Sequence, residues 1–179
     1  MRDRREARDA EFQSFVVGRW PRLLRTAFLL TGEQHAAEDL VQSTLERAYA
    51  AWRRVGAADD PDAYVRRVMI NTHARRHRRR LKEFLAPKDY SGLTHELPDA
   101  DDRIARADDR GALLTVLAAL PVRQREAVVL RYWEDLSEAQ AAEAMGCSVG
   151  AVKSNAARGI AKLRALPGLA EALTNGGRK

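Results

Sequence analysis

"MGCSVGAVKSN", residues 145–155, decides how the second half of this chain is read. Gly146 can take the left-handed backbone that ends a helix. Ser148, two residues on, suits the cap of the next helix. Upstream, Ser137 is another N-cap, and Glu138 to Met145 makes a two-turn helix. Downstream, Val152, Ala156, Ile160 and Leu163 recur at helical spacing and predict a helix from Val149 to about Leu166. Ala142, Gly146 and Val152 are the small, turn and apolar residues that let two helices cross closely, the helix-turn-helix geometry. Gly150, Ala151, Lys153, Ser154, Asn155, Arg158 and Lys162 are left near the N-terminal and outer faces. Gly150 and Ala151 let the helix end approach a duplex. Lys153, Arg158 and Lys162 can meet phosphates, and Ser154 and Asn155 can bond base edges. A plain αα-hairpin with a solvated basic face is the other reading of the same residues.

Composition favours the first. The 179 residues carry 31 Lys and Arg against 25 Asp and Glu, a net charge of +6 and a pI near 9.9. That balance points to a polyanion, nucleic acid before an anionic membrane surface. A single cysteine, Cys147, rules out a disulfide within the chain and fits a reducing compartment. The longest apolar run, Leu113 to Leu120, is far below the roughly 18 residues a membrane span needs. The mixed-charge N-terminus does not resemble a signal peptide. A soluble, cytoplasmic protein with no membrane partner is expected.

The first half is helical by period. Glu11 to Leu30 spaces Phe12, Phe15, Val16, Leu23, Leu24, Ala27 and Phe28 by threes and fours, and Thr31-Gly32 ends the run. Ala36 to Trp52 repeats the pattern. After a loop at 56–60, Pro61 suits a first helical turn, and a third helix runs from Tyr64 to about Arg80. Six of the eight residues from Arg75 to Lys82 are basic. From residue 83 to 109 the charge turns acidic and Pro87, Gly92 and Pro98 interrupt the pattern, which reads as a linker. The expected architecture is all-α: two small helical domains, 11–81 and 111–166, joined by an acidic linker over 82–110. A small polar tail over 167–179 is expected to fray.

Leu120 to Arg164, "LPVRQREAVVLRYWEDLSEAQAAEAMGCSVGAVKSNAARGIAKLR", resembles the minus-35-binding domain, region 4, of extracytoplasmic-function (ECF) sigma factors. "AEDLVQSTLERAYAAW" is similar to the sigma segment that docks on the clamp helices of core RNA polymerase. "DPDAYVRRVMINTHARRHRRR" is similar to the segment that reads the minus-10 element, both belonging to region 2. The whole resembles the actinobacterial SigE-family subgroup most, and the match covers roughly residues 11–81 and 111–166, in the family's order. Ala151 and Asn155 depart from residues frequent at those positions, as do Tyr64, Arg75 and Ser43.

The resemblance implies a transcription initiation factor that lends promoter specificity to core RNA polymerase. Asp39 and Gln42, with Glu38 and Glu46, would contact the clamp. Tyr64, Arg66, Arg67, Asn71, Arg75, Arg76, Arg78 and Arg79 would hold the minus-10 strand, with the loop from Val55 to Asp60 helping to form a base pocket. The helix-turn-helix residues would hold minus-35 duplex. Promoter DNA, core polymerase and an anti-sigma factor are the implied partners, and no cofactor or metal is implied. A conventional helix-turn-helix regulator acting without polymerase is the alternative. A small nuclease is the other class of reading, and no carboxylate cluster, Ser-His-Asp set or phosphate loop in the sequence supports it. His73 and His77 lie four apart, but the residue after His73 is Ala74, and arginines surround them. Cys147 reads as a small turn residue, and Trp20, Trp52 and Trp133 as core or domain-edge packing.

Overall fold

The structure, a computed structural model, describes residues 2–85 and 109–165. The acidic stretch and the C-terminal tail lie outside them. Among the described residues there are helices and turns and no strand.

The first helix, α1 (Arg2–Thr31), begins well before the predicted Glu11 and runs through Pro21. Its early turns are held by side chains of α2 (Gln34–Val55). Tyr49 donates to Asp9 Oδ1 at 2.6 Å, and Arg8 donates to the Tyr49 hydroxyl at 2.7 Å. Phe12 packs on Tyr49 and Trp52, and Phe15 on Trp52, with ring centroids 4.9 to 5.1 Å apart. Such aromatic contacts add to plain area burial. At its other end α1 stops at Gly32, which has φ +76° and donates to Phe28 O.

The third helix, α3 (Pro61–Leu85), starts where Asp60 Oδ1 accepts the Ala63 N–H at 2.8 Å. This is the side-chain cap that satisfies an orphan donor. It buries Val65, Met69 and Ile70, and within the first half it packs mainly on α2. It also continues to Leu85, beyond the predicted end near Arg80.

The second half comprises α4 (Asp109–Ala119), α5 (Val122–Val128), α6 (Glu138–Met145) and α7 (Val149–Arg164). Helix α4 begins inside the stretch expected to be linker. The sequence predicts one helix from Pro121 to Tyr132, but its last part, Val129–Trp133, widens into a π turn. There the Glu134 N–H reaches back five residues to Val129 O. An extra residue in one turn changes which side chains face inward. Here Glu134 is buried, while Tyr132 and Trp133 are 64% and 47% exposed. Trp133 is therefore a surface residue, as is Trp20, and only Trp52 is core.

The two halves are docked, not merely tethered. One continuous apolar cluster joins Leu23, Ala27 and Leu30 of α1 to Leu117, Val129 and Met145 of the second half. Helix α3 packs on α6, and α1 touches α4 and α5.

Candidate nucleic-acid interface

The break at Gly146 is built as its residues suggest. Ser137 and Gln140 form a reciprocal capping box on α6. Gly146 closes that helix at φ +60°, a backbone that costs any residue with a Cβ roughly 1–2 kcal/mol. Ser148 Oγ then accepts the Ala151 N–H at 3.2 Å. Val152, Ala156, Gly159 and Leu163 are buried. Gly159 lets α7 approach α5: a Cβ there would sit 2.6 Å from Val128 Cγ2.

The outer face of α7 carries Gly150, Lys153, Arg158 and Lys162 in the open, with Ala151, Ser154 and Asn155 half-buried. Lys153 pairs with Glu138 of α6 at 3.3 Å, with both side chains well exposed. Asn155 Nδ2 donates to Ala151 O at 2.9 Å. The α7 residues singled out from the sequence thus share one helix, four of them exposed and three half-buried.

Helix α3 divides its side chains differently. Tyr64, Asn71, Arg75 and Arg78 line one groove of about 320 Å³, together with Val68, Thr72 and Arg47 of α2. Arg47 was not anticipated, and its neighbour Glu46 belongs to another face of α2. Nothing in a single sequence says that residue 47 turns toward α3. Tyr64, Arg66 and Arg67 also line a second groove at the start of α3, of about 350 Å³, closed on the far side by Gln140, Glu143 and Ala144 of α6. Arg66 reaches Asp60 at 3.5 Å.

Arg76 is set apart from this group. It donates to Ser43 Oγ at 2.7 Å and to Asp39 O at 3.1 Å, bracing α3 on α2. With His73, His77, Arg80 and Arg125 it lines a small cavity of about 90 Å³ between the halves. Burial, with the nearby His73 and Arg125, lowers the His77 pKa, and Glu126 pulls the other way. Burial likewise lowers the Arg125 pKa, against the pull of Glu126. No cluster of three metal-ligating side chains occurs among the described residues.

On α2, Glu38, Gln42 and Glu46 lie at intervals of four along one stripe. They border an apolar groove with Phe12, Trp20, Leu45 and Tyr49. Gln42 donates to Glu46 at 3.3 Å and Gln34 to Glu38 at 2.6 Å. Asp39 is also exposed but sits beside this stripe, toward α3.

Two helical modules, one a helix-turn-helix and the other built on a basic helix, are an arrangement suited to a nucleic-acid-binding protein. Residues 17–83 match the family model for sigma-70 region 2, and residues 110–163 match that for sigma-70 region 4. The chain is 40% identical over 156 residues to an RNA polymerase sigma-E factor of Streptomyces avermitilis, covering 86% of this chain and 83% of the relative. It is 32% identical over 152 residues to the ECF RNA polymerase sigma factor EcfG of Rhodopseudomonas palustris, covering 84% and 82%. Its fold matches the sigma factor RpoE of Bartonella quintana, solved in complex with the anti-sigma factor NepR, at a TM-score of 0.63 and 25% identity over 86% of this chain and 94% of that one. The chain belongs to the ECF sigma factors of the sigma-70 family, which direct RNA polymerase to promoters. Among the described residues no helix is long and apolar enough to cross a membrane.

Proposed function

We propose that α7 holds minus-35 duplex, that the α3 groove captures unpaired minus-10 bases, and that the acidic stripe of α2 docks on a basic element of core polymerase. The observation that supports this best is the groove of Tyr64, Asn71, Arg75 and Arg78. It puts a ring for stacking, an amide for a base edge and two cations for the backbone on one side of one helix. These are the elements of single-strand recognition. Extruding a base costs a few kcal/mol, which such a groove can offset. Arg47 joins this set, and Arg66, Arg67 and Arg79 extend it along the strand. Arg76 serves it by holding α3 on α2.

Glu38, Gln42 and Glu46, with Asp39 beside them, present acid to the polymerase clamp. An anti-sigma factor is a partner of this chain as NepR is of the Bartonella protein. The factor does no chemistry on a substrate; the polymerase does the catalysis, in the cytoplasm. Residues 11–81 and 111–166 are the two working units.

The test is transcription by purified bacterial core polymerase on a library of promoter fragments, with and without the protein. Specific transcripts that require the protein support the reading and supply both promoter words. No transcripts and no complex with core, beside tight duplex binding by the free protein, would make it a conventional regulator. Lys153→Ala and Arg158→Ala should weaken promoters that depend on minus 35 and spare core binding, whereas Asp39→Ala should weaken core binding. Unchanged core affinity with lost duplex binding in Asp39→Ala would overturn the assignment.

A further inference from the structure

The cavity of about 90 Å³ beside α3 is lined by three arginines and two histidines. His73, Arg76, His77 and Arg80 recur at helical spacing, so one stripe of α3 faces it. Arg125 of α5 comes from the other side.

Most polar atoms here have a protein partner. Arg76 braces α3 on α2 through Ser43 and Asp39 O. Arg125 donates from Nη1 to Leu30 O and from Nη2 to Ala118 O, both at 2.6 Å. These are carbonyls left open where α1 and α4 end. His73 Nδ1 meets Glu126 Oε1 at 2.9 Å, and Arg123 takes the other oxygen of Glu126 at 3.0 Å.

Three donor groups are left over. Arg125 Nε is buried and has no hydrogen-bond partner. A buried orphan donor is costly, the more so when it belongs to a charged group. His77 and Arg80 are exposed at the mouth, and neither makes a hydrogen bond or ion pair among the described residues. The charge does not balance either. Arg76, Arg80 and Arg125 are permanent cations. Glu126 is the acid felt at His77, and it is already held by His73 and Arg123. The start of α2 adds to the excess. Ala36 in its first turn lines the cavity, and the N-cap residue Glu33 gives no side-chain cap. A helix start left in that state favours an anion.

We propose that this cavity binds a small phosphate dianion, either the free ion or a terminal phosphomonoester, with Arg80 and His77 holding it at the mouth and Arg125 Nε meeting it on the floor. The space is that of a few waters. It admits one tetrahedral oxyanion and leaves a sugar or base outside. Arginine donors match the oxygens of such a group. A phosphodiester from a nucleic-acid strand carries a single charge and has two of its oxygens blocked, so it suits the site less. The site is independent of the promoter reading, which uses neither His77, Arg80 nor Arg125.

The test titrates the full chain with inorganic phosphate and with methyl phosphate, at an ionic strength held constant with chloride. Binding is read from the His77 ring signals in NMR and from the thermal midpoint, which a ligand of the folded state raises. Both phosphates should saturate, or inorganic phosphate alone if the site takes only the free ion. The pKa of His77 should rise when phosphate is bound, because an anion favours the charged ring. Arg80→Gln should weaken binding at least about tenfold, as expected for a lost hydrogen bond between charged groups. Arg54→Gln removes an equal charge from an exposed position on α2 and should leave the affinity unchanged. If Arg80→Gln perturbs the fold, His77→Gln decides by the thermal midpoint, with an expected loss of about threefold. The site is overturned if phosphate acts no differently from chloride, if Arg54→Gln weakens binding as much as Arg80→Gln, or if His77→Gln binds as tightly as the unsubstituted chain. Dimethyl phosphate binding as tightly as methyl phosphate would also overturn it, in favour of a strand-backbone contact.

Discussion

Helices α7 and α3 both carry exposed cations, yet they are built on opposite plans. Helix α7 lies at the edge of the fold. It has a side-chain cap, a left-handed glycine before it, one buried stripe and one exposed basic face. Helix α3 runs between the two halves. Val65, Met69 and Ile70 are buried, and His73 meets Glu126 of the second half. The strip through Tyr64, Asn71, Arg75 and Arg78 lines a groove of its own. A helix at an edge keeps one whole face for binding. A helix in the middle divides its charges among bracing, docking and binding.

The contrast is tested most severely by its two carboxylates. Glu126→Ala leaves the buried His73 ring without its partner and should cost about 1–3 kcal/mol in urea denaturation. Glu138→Ala, which breaks the exposed pair with Lys153, should stay within about 1 kcal/mol. Equal losses would mean that α3 is no more embedded than α7.

Glycines sharpen the comparison within α7. Gly159→Ala drives a methyl into Val128 and should destabilise by about 1–3 kcal/mol. Gly150→Ala meets nothing nearer than Ser148 Oγ at 4.0 Å and should stabilise by about 0.5–1 kcal/mol. Thermal unfolding of the two variants reads both signs.

The division of α3 predicts unequal arginines. Arg75→Ala and Arg78→Ala should each lower the salt slope of single-strand binding by about 0.7. Arg76→Ala should leave the slope nearly intact and loosen α2 from α3, visible as faster amide exchange around Ser43.

The smallest effect is on pH. The pKa of His77 is lowered, so the folded chain prefers its neutral ring. Its contribution is fully present above the ordinary value near 6.5 and is lost as pH falls from there through the folded value. The groups facing it are His73 and Arg80 on α3 and Arg125 and Glu126 on α5. Urea midpoints from pH 8 to 5 should fall less in His77→Gln than in the unsubstituted chain.

The helix-turn-helix could be read almost residue by residue because its signals are local. Ser137, Gly146 and Ser148 sit within one or two turns of the groups they cap, and each does what its chemistry favours. The same holds for Gly32 and Asp60. The misses share a cause. The start of α1 near Arg2 depends on Tyr49, some forty residues away. The π turn depends on where Glu134 finds its partners, more than a hundred residues away. Arg47 and Arg76 differ in role only because α2 and α3 cross where they do.

From its own residues, then, the chain set the helical class, the two-part order, the capped break at Gly146 and the basic faces. Those follow from hydrophobic period, side-chain caps and charge, which act within a few residues. Tertiary packing decided that the halves dock, which arginines of α3 remain available, and that two glutamates of the second half are buried against the first. A buried charge has its meaning only through its partner, and here the partners arrive from distant parts of the chain.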